Sequence, residues 1–289
     1  SVGSAERIKN VAALVRDRGR NIVVLSAMSG TTNTLVEIAG YLSRKNVNSA
    51  KDTINTLEDK YLAVISELYD TEEYRAKAAE RLAENFALLR SLAHDAYEPQ
   101  FEKIILAQGE LMSTAMMELY MAETGVNCVW LPALDFMRTD SDGEADIDYI
   151  SQKLIPMLEA HPDADLFVTQ GFICRNAYGE VDNLQRGGSD YTASLIGAAI
   201  DAEEIQIWTD IDGMHNNDPR FVNDTVPVRQ LNFDEAAKLA HFGAKILHPT
   251  CILPAKEKNI PVRLLNALQP SASGTLISNT AEKGAIKAV

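Results

Sequence analysis

The hydrophobic positions of this chain fall into short continuous runs that are separated by turn-forming residues. The runs are rich in β-branched side chains, which is typical of strands buried on both faces of a sheet. This pattern predicts strands over residues 21–26, 127–131, 165–170, 204–210 and 261–265. Strands of this kind need helices to cover both faces of their sheet, so we expect helical segments between the runs.

Helical periodicity does occur between the predicted strands. Apolar residues recur at every third or fourth position over residues 5–18, 101–123, 189–201 and 234–242. Strands that alternate with helices predict an α/β fold, with a doubly wound, mainly parallel sheet and helices on both of its faces. In such sheets ligands bind beyond the carboxyl ends of the strands, so the residues after each strand are the candidates for function.

The stretch 51–95 departs from this alternation because it is nearly all helical. Leu82, Phe86, Leu89 and Ala93 fall on one face of a helix there. Two interpretations of this helical insertion remain open. It is either a lid or an ordinary antiparallel helix pair packed on the sheet, since periodicity reports burial and says nothing about motion.

Charge and cysteine content narrow the class of protein. The chain has 289 residues, 27 Lys and Arg against 41 Asp and Glu, and a net charge of −14. Such a surface repels phosphate backbones and anionic lipids, so we predict no nucleic-acid partner and no membrane partner. No apolar run approaches the roughly 18 residues of a membrane span. Cys128, Cys174 and Cys251 are widely spaced and odd in number, which is typical of reduced thiols and predicts a cytoplasmic protein.

A glycine-containing turn marks a candidate anion site. The motif Arg186-Gly187-Gly188-Ser189-Asp190 lies between a strand-like region and a predicted helix, so free backbone N–H groups face whatever binds there. The glycines let the main chain approach a ligand closely, and the guanidinium offers a planar fork for a carboxylate. A plain capped turn is the alternative, and the adjacent arginine favours the anion site.

The fourth predicted strand is followed by polar residues where an open α/β sheet binds a nucleotide. Asp210 is placed to orient a metal ion or a ribose. Farther along the chain, Arg220 ends a polar turn and Lys245 lies beside a glycine, where each could contact a phosphate. A solvated arginine in a routine turn is the alternative for Arg220. His241 and His248 bracket a turn and are more typical of packed or capping residues than of metal ligands, so we predict no metal-binding side chains among them.

A second loop of hydroxyl and N–H groups follows the first predicted strand, over residues 26–33. Its hydroxyls could hold a substrate carboxylate. Gly109 lies inside a predicted helix, where glycine costs about 1 kcal/mol relative to alanine, so we expect something to approach its backbone closely there. The neighbouring Glu110 could bind an ammonium group. The sequence contains no G-x-x-x-x-G-K-[ST] P-loop, no G-x-G-x-x-G fingerprint and no G-x-S-x-G elbow, which removes three common enzyme classes.

Taken together and in this order, these motifs resemble those of the aspartate kinases in the amino-acid kinase family, and the resemblance runs from Ser1 to about Ser278. Members of the family open with a strand and a Lys-Phe-Gly-Gly-Thr-Ser-Val loop, of which Ser1 and Val2 match the end. The resemblance therefore implies that the first strand and its phosphate-binding lysine are missing here. It implies a catalytic domain over residues 1–268, and a linker with the start of a truncated ACT regulatory region over 269–289. The full-length form would be an allosteric homodimer joined through such ACT domains.

The resemblance also implies a role for each candidate residue. The aspartate would be bound by Ser26, Thr32, Glu110, Arg186, Ser189 and Asp190. The nucleotide would be bound by Thr209, Asp210, His215, Arg220 and Lys245. The catalytic residues would be Lys245, Asp210 and Arg186. His215 stands where relatives often carry tyrosine.

The activity that the resemblance implies is ATP-dependent phosphorylation of the side-chain carboxylate of L-aspartate, with Mg²⁺, to give 4-phospho-L-aspartate. This is the first step of lysine, threonine and methionine biosynthesis. Because a carboxylate is already ionised at neutral pH, catalysis consists of positioning two anions and neutralising the charge between them. Two alternatives remain open. One is a sister kinase that acts on acetylglutamate, glutamate, carbamate or UMP, and the other is a non-catalytic regulatory subunit that binds an amino acid.

Overall fold

The computed structural model describes residues 2–184, 187–217, 222–242 and 247–280, with the backbone alone at 241 and 242. Residues 281–289, the end of the segment expected to begin an ACT region, lie outside these residues. The chain divides into two compact units. The first comprises Ser1–Gly143 and Met157–Asn183, and the second comprises Glu144–Pro156 and Leu184–Val289.

Helices make up most of the first unit. Its helices are α1 (Ala5–Val15), α2 (Thr31–Ser43), α3 (Val47–Leu68), α4 (Glu72–Leu92), α5 (Pro99–Glu123) and α6 (Ala133–Phe136). Its strands are β1 (Asn21–Leu25), β2 (Cys128–Leu131), β3 (Leu166–Gln170), β4 (Ile173–Arg175) and β5 (Val181–Asn183). Helix α7 (Ile147–Glu159) runs from the residues of the second unit into those of the first.

Strand β3 is the centre of a parallel three-stranded sheet in the order β1-β3-β2. All five of its residues are buried, which explains the continuous hydrophobic run in the sequence. Strands β4 and β5 form a separate antiparallel pair. Because β1 and β3 are parallel and in register from Asn21 with Leu166 to Leu25 with Gln170, the residues after both strands emerge at the same edge.

The second unit has its own sheet and its own hydrophobic core. Its elements are α8 (Gly188–Ala199), β6 (Ile205–Thr209), β7 (Gln230–Leu231), α9 (Phe233–Phe242), a 3-10 turn (Pro249–Ile252), α10 (Leu253–Lys258), β8 (Val262–Asn266) and β9 (Thr275–Ile277). The strand order is β6-β8-β9-β7. The pairs β6–β8 and β7–β9 are parallel, and β8–β9 is antiparallel.

The predicted fold class is confirmed. Each of the five predicted strands and four predicted helices occurs within a few residues of its expected bounds. Of the six strand pairs in the part of the chain that the structure describes, four are parallel. Four strands, β4, β5, β7 and β9, were not among the predicted elements. Each is only two or three residues long, too short for a period of two to register in the sequence.

The helical insertion is confirmed as helices α3 and α4. Two contacts show that they lie antiparallel. Tyr61 meets Phe86 edge to face with ring centroids 5.9 Å apart, while the earlier Glu58 of α3 forms an ion pair with the later Arg90 of α4. The predicted apolar face is buried, since Leu82, Phe86 and Leu89 of α4 belong to the hydrophobic core of the first unit. No helix in the described part of the chain is long and apolar enough to cross a membrane.

Candidate functional site

The loop after β1 carries two of the predicted substrate residues. Ser26 and Thr32 are both exposed, and between them Gly30 takes a left-handed conformation with φ of 81° at the start of α2. This conformation, which glycine adopts without strain, turns the chain so that the first N–H groups of α2 are free of intrahelical bonds. The loop therefore presents hydroxyl and N–H donors at the carboxyl end of a buried strand, as an anion site requires.

Helix α5 approaches this loop closely at Gly109. A Cβ atom added at Gly109 would lie 2.8 Å from Ala27 Cβ and 3.3 Å from Leu35 Cδ1. Any side chain here would force the loop or α2 to move. The predicted close approach to this glycine is confirmed, and the loop and α2 are what approach it. The approach explains why a helix interior contains a residue that weakens it.

The carboxyl group of Glu110 is buried beside the same loop. Its Oε1 accepts a hydrogen bond of 3.2 Å from the Ala27 N–H, whereas its Oε2 is buried and has no partner among the residues that the structure describes. Burial raises the pKa of Glu110 to about 7. A buried carboxyl oxygen without a donor is costly, which points to a cationic or N–H-bearing ligand that completes its bonding.

Polar side chains that were not among the predicted site residues join helix α5 to the neighbouring strands next to Glu110. Thr114 Oγ1 donates to the Glu110 carbonyl oxygen over 2.8 Å. The same hydroxyl accepts from Gln170 Nε2 at 2.8 Å and from Trp130 Nε1 at 3.1 Å. Helix α5 is thereby bonded to β2 and to the end of β3. The only signal in the sequence is that Gln170 is a polar residue at the end of a hydrophobic strand.

The helical insertion also contacts the loop after β1. Lys60 Nζ donates to the Ser29 carbonyl oxygen over 2.8 Å, and the Tyr61 hydroxyl is 3.1 Å from Thr31 Oγ1. From α5, the Ser113 hydroxyl donates to the Ser26 carbonyl oxygen over 2.8 Å. The loop is therefore held from two sides by side chains of α3 and α5.

In the second unit, the N-terminus of α8 carries the predicted Ser189 and Asp190. Both residues are half-buried in the first turn, after Gly187 with a φ of 76°. The Sγ atom of Cys251 occupies the space that a Cβ at position 187 would need. Burial raises the pKa of Asp190 to about 6 and that of the Cys251 thiol to about 12. The thiol is therefore protonated and serves as packing.

The predicted nucleotide residue Thr209 ends β6 in the second unit, and Asp210 and His215 lie on the loop that follows. Thr209 Oγ1 accepts from the Ile211 N–H at 3.0 Å and so shapes the turn in which Asp210 is exposed. His215 Nδ1 is 2.9 Å from Thr225 Oγ1, while its Nε2 is buried and unpartnered within the described residues. The three residues therefore lie in one short stretch of chain that begins at the end of β6.

Three predicted site residues, Arg186, Arg220 and Lys245, lie outside the described residues, so their roles stay predictions. Residues 2–184, 187–217, 222–242 and 247–280 contain no group of three His, Cys, Asp or Glu side chains that could hold a metal ion. The described site residues are therefore Ser26, Thr32 and Glu110 in the first unit and Ser189, Asp190, Thr209, Asp210 and His215 in the second.

Comparison with known proteins gives consistent matches along the chain. The model of the amino acid kinase family matches residues 1–266. Lysine-sensitive aspartokinase 3 of Escherichia coli K12 is 36% identical over 286 residues, which cover 98% of this chain and 63% of that protein. Aspartokinase 1, chloroplastic, of Arabidopsis thaliana is 34% identical over 301 residues, which cover 97% of this chain and 51% of that protein.

The fold matches a solved structure equally well. The crystal structure of E. coli aspartokinase III in complex with aspartate and ADP, in its R-state, superimposes with a TM-score of 0.86 at 34% identity. The match covers 100% of this chain and 65% of that one. The chain thus spans less than two thirds of the length of these relatives.

Proposed function

The chain belongs to the amino acid kinase family, and from this premise we propose that the protein phosphorylates the side-chain carboxylate of L-aspartate with ATP. The products are 4-phospho-L-aspartate and ADP, and the reaction opens lysine, threonine and methionine biosynthesis. The observation that carries the proposal is the buried Oε2 of Glu110, which has no partner within the described residues, beside a loop of hydroxyl and N–H donors. The similar E. coli enzyme was crystallised with aspartate and ADP, and we transfer both ligands to this chain.

The two ends of free aspartate call for opposite kinds of partner. The Glu110 carboxylate binds the ammonium group, which supplies the N–H donors that Oε2 lacks. The Ser26 and Thr32 hydroxyls bind a carboxylate, together with the N–H groups of Thr32 and Asn33, which have no intrahelical partner in the first turn of α2. The remaining substrate residues in this proposal are Arg186, Ser189 and Asp190.

The nucleotide is assigned to the loop after β6. Asp210 is an exposed carboxylate, the type of oxygen ligand that Mg²⁺ prefers. Magnesium is commonly held by one or two carboxylates together with the nucleotide phosphates, so a single exposed carboxylate suits this assignment. When bound, Mg²⁺ neutralises charge on the phosphate oxygens. The proposed nucleotide contacts are Thr209, Asp210, His215, Arg220 and Lys245.

The proposed reaction is an in-line displacement. One oxygen of the aspartate side chain forms a bond to the γ-phosphorus of ATP, and the bond from that phosphorus to the β–γ bridging oxygen breaks, so that ADP leaves. No base is needed, because the attacking carboxylate is ionised at neutral pH. The protein contributes positioning and positive charge, and we assign the catalytic roles to Lys245, Asp210 and Arg186.

We also propose the organisation of the complete protein. Residues 1–268 form the catalytic domain, and 269–289 lead from it to ACT regulatory domains through which a homodimer forms. Within this last segment, β9 (Thr275–Ile277) still belongs to the sheet of the second unit. The natural relatives are longer than this chain, which supports such an addition. The cytoplasm stays the predicted compartment, because Cys128, Cys174 and Cys251 are free thiols, as is usual in a reducing environment.

An ADP-release assay on the natural full-length protein tests the proposal. We expect ADP formation from ATP to depend on added L-aspartate, and hydroxylamine to trap the acyl phosphate product as the hydroxamate. N-Acetylglutamate, glutamate, carbamate and UMP are the comparison substrates. A response to one of these without a response to aspartate would indicate a sister kinase. If aspartate binds by calorimetry but no substrate releases ADP, the protein is a non-catalytic amino-acid-binding subunit.

The pH dependence of aspartate use follows from the burial of Glu110. The pKa of its carboxyl group is raised from 4.5 to about 7, so below pH 7 the group is mostly protonated and cannot pair with an ammonium ion. We expect kcat/KM for L-aspartate to fall about tenfold per pH unit below pH 7, as for loss of one essential ionised group. Initial rates at subsaturating aspartate between pH 5.5 and 8.5 measure this. A flat profile below pH 7 would show that ionised Glu110 is not required.

A further inference from the structure

The hydroxyl group of Thr275 joins two separate backbone segments of the second unit. Thr275 is fully buried at the start of β9. Its Oγ1 accepts a hydrogen bond of 2.8 Å from the Met214 N–H and donates one of 2.6 Å to the Val228 carbonyl oxygen. A single side chain thus holds the loop after β6 against the segment that leads into β7.

The contact between this loop and β9 leaves no space for a further side chain. Gly213 has a φ of 74°, and a Cβ atom added there would overlap Thr275 Oγ1 and lie 2.7 Å from the Thr275 backbone nitrogen. The loop therefore depends on a glycine, in a conformation that glycine adopts without strain, in order to reach the threonine. Such a close approach indicates that the loop conformation and the position of β9 are set together.

Asp212 forms a second connection between the same segments. Its Oδ1 accepts from the Gly274 N–H at 3.0 Å, and its Oδ2 accepts from Arg229 Nη1 at 2.9 Å. The same Nη1 also donates to the Gly274 carbonyl oxygen over 3.1 Å. Both backbone groups of Gly274 are therefore hydrogen-bonded, and the Asp212 carboxylate forms an ion pair with Arg229 of the neighbouring segment.

The residues held in this way flank the proposed nucleotide contacts. Asp210 lies two residues before Asp212, and His215 directly follows Met214. The Met214 carbonyl oxygen also accepts from the Val228 N–H at 2.7 Å, so both backbone groups of Met214 are bonded. Asp210 and His215 are thus exposed or half-buried positions on a loop whose middle is tied to buried strands.

We propose that Thr275 and Asp212 are positioning residues for the nucleotide. They hold the loop after β6 in one conformation, so that Asp210 and His215 are already placed when ATP binds and little loop entropy is lost. This inference rests on the proposed function, because the loop is assigned to ATP there. The inference adds that Thr275, which lies 61 positions after Met214 at the start of β9, contributes to nucleotide affinity.

The central test compares Thr275→Val with Thr275→Ser. Valine keeps the volume and removes the hydroxyl, whereas serine keeps both hydrogen bonds. We expect Thr275→Val to weaken binding of MgADP about tenfold, because the Met214 N–H and Val228 carbonyl oxygen lose their shared partner, and Thr275→Ser to restore most of it. Calorimetric titration of the full-length wild type and of each variant with MgADP measures these affinities. In steady-state kinetics, Thr275→Val should raise the KM for ATP and change the KM for aspartate less than twofold.

Two further variants keep the test decisive. Thr280→Val changes an exposed threonine in the same unit and should leave MgADP affinity unchanged. Asp212→Asn leaves the Thr275 hydroxyl in place and weakens the connection to Arg229, so it should also lower MgADP affinity. This variant tests the inference even if Thr275→Val fails to fold. Equal MgADP affinity in folded wild type, Thr275→Val and Asp212→Asn would overturn the inference, and so would an equal rise in both KM values.

The measurement also separates this inference from the proposed function. A wild-type protein that binds MgADP but does not phosphorylate aspartate would reject the proposed reaction, while the ranking of the variants by MgADP affinity would still decide the role of Thr275. A wild-type protein that binds no MgADP would overturn both.

Discussion

Replacing Glu110 with glutamine is expected to lower kcat/KM for L-aspartate at least about thirtyfold, which corresponds to the roughly 2–5 kcal/mol lost when one partner of a buried charge pair is removed. Glutamine has the shape of glutamate and can still accept the Ala27 N–H through its amide oxygen. It places an NH₂ group, rather than an anionic oxygen, where the unpartnered Oε2 lies. The aspartate ammonium then meets a donor instead of an acceptor, and the KM for ATP should change little.

Matched measurements distinguish this loss from a loss of structure. Glu102→Gln makes the same chemical change at an exposed position on the same helix and should leave kcat/KM unchanged. The melting temperature of Glu110→Gln at pH 8 should not fall, because the wild-type carboxyl is ionised there at a buried site that disfavours charge. A Glu110→Gln enzyme that uses aspartate as well as the wild type would remove the ammonium site from the proposed function.

Local patterns in the sequence were sufficient to predict most of the fold and part of the site. Strands such as β3 are buried on both faces, and this condition appears directly as a hydrophobic run. Gly109 was predictable because a glycine inside a helix needs a reason, and the reason is its contact with Ala27. These inferences succeeded because each needed only residues near one another in the chain, although the partner of Gly109 could not be named in this way.

Interactions between distant residues were not predictable in the same way. The bonds of Thr114 to Trp130 and Gln170 join α5, β2 and β3. The sequence around each of these residues does not indicate the other two as partners. Likewise, the Ser-, Pro- and Gly-rich composition of residues 269–274 predicts a linker. It could not show that Gly274 is bonded through its N–H to Asp212. Buried polar networks of this kind are set by tertiary packing.

The charged residues of the candidate site are also only partly described by the structure. The sequence assigns the cations of the site to Arg186, Arg220 and Lys245, and these residues lie outside the described part of the chain. The described part shows the acidic side of the site, where burial raises the pKa values of Glu110 and Asp190. Two carboxyl groups kept from water in a protein of net charge −14 are costly unless cationic groups meet them on binding.

Replacing Gly109 with alanine is expected to reduce kcat/KM for L-aspartate by about one to two orders of magnitude, the scale of loss that a displacement of about 1 Å at a binding site can cause. The new methyl group would lie 2.8 Å from Ala27 Cβ, so the loop after β1 must move away from α5. That movement lengthens the bond from the Ala27 N–H to Glu110 and shifts the hydroxyls of the loop. Initial-rate kinetics with varied aspartate, together with thermal unfolding, measure both consequences.

The stability effect has two opposing parts, and a second glycine separates them. Alanine favours a helix over glycine by about 1 kcal/mol, whereas overpacking costs typically 1–3 kcal/mol, so Gly109→Ala should be destabilised overall. Gly40→Ala, inside α2, would contact only the flexible guanidinium of Arg44 at 3.5 Å or more, so it should gain up to about 1 kcal/mol and keep full activity. If Gly109→Ala instead gained stability like Gly40→Ala and used aspartate normally, close packing of α5 on the loop would have no part in aspartate binding.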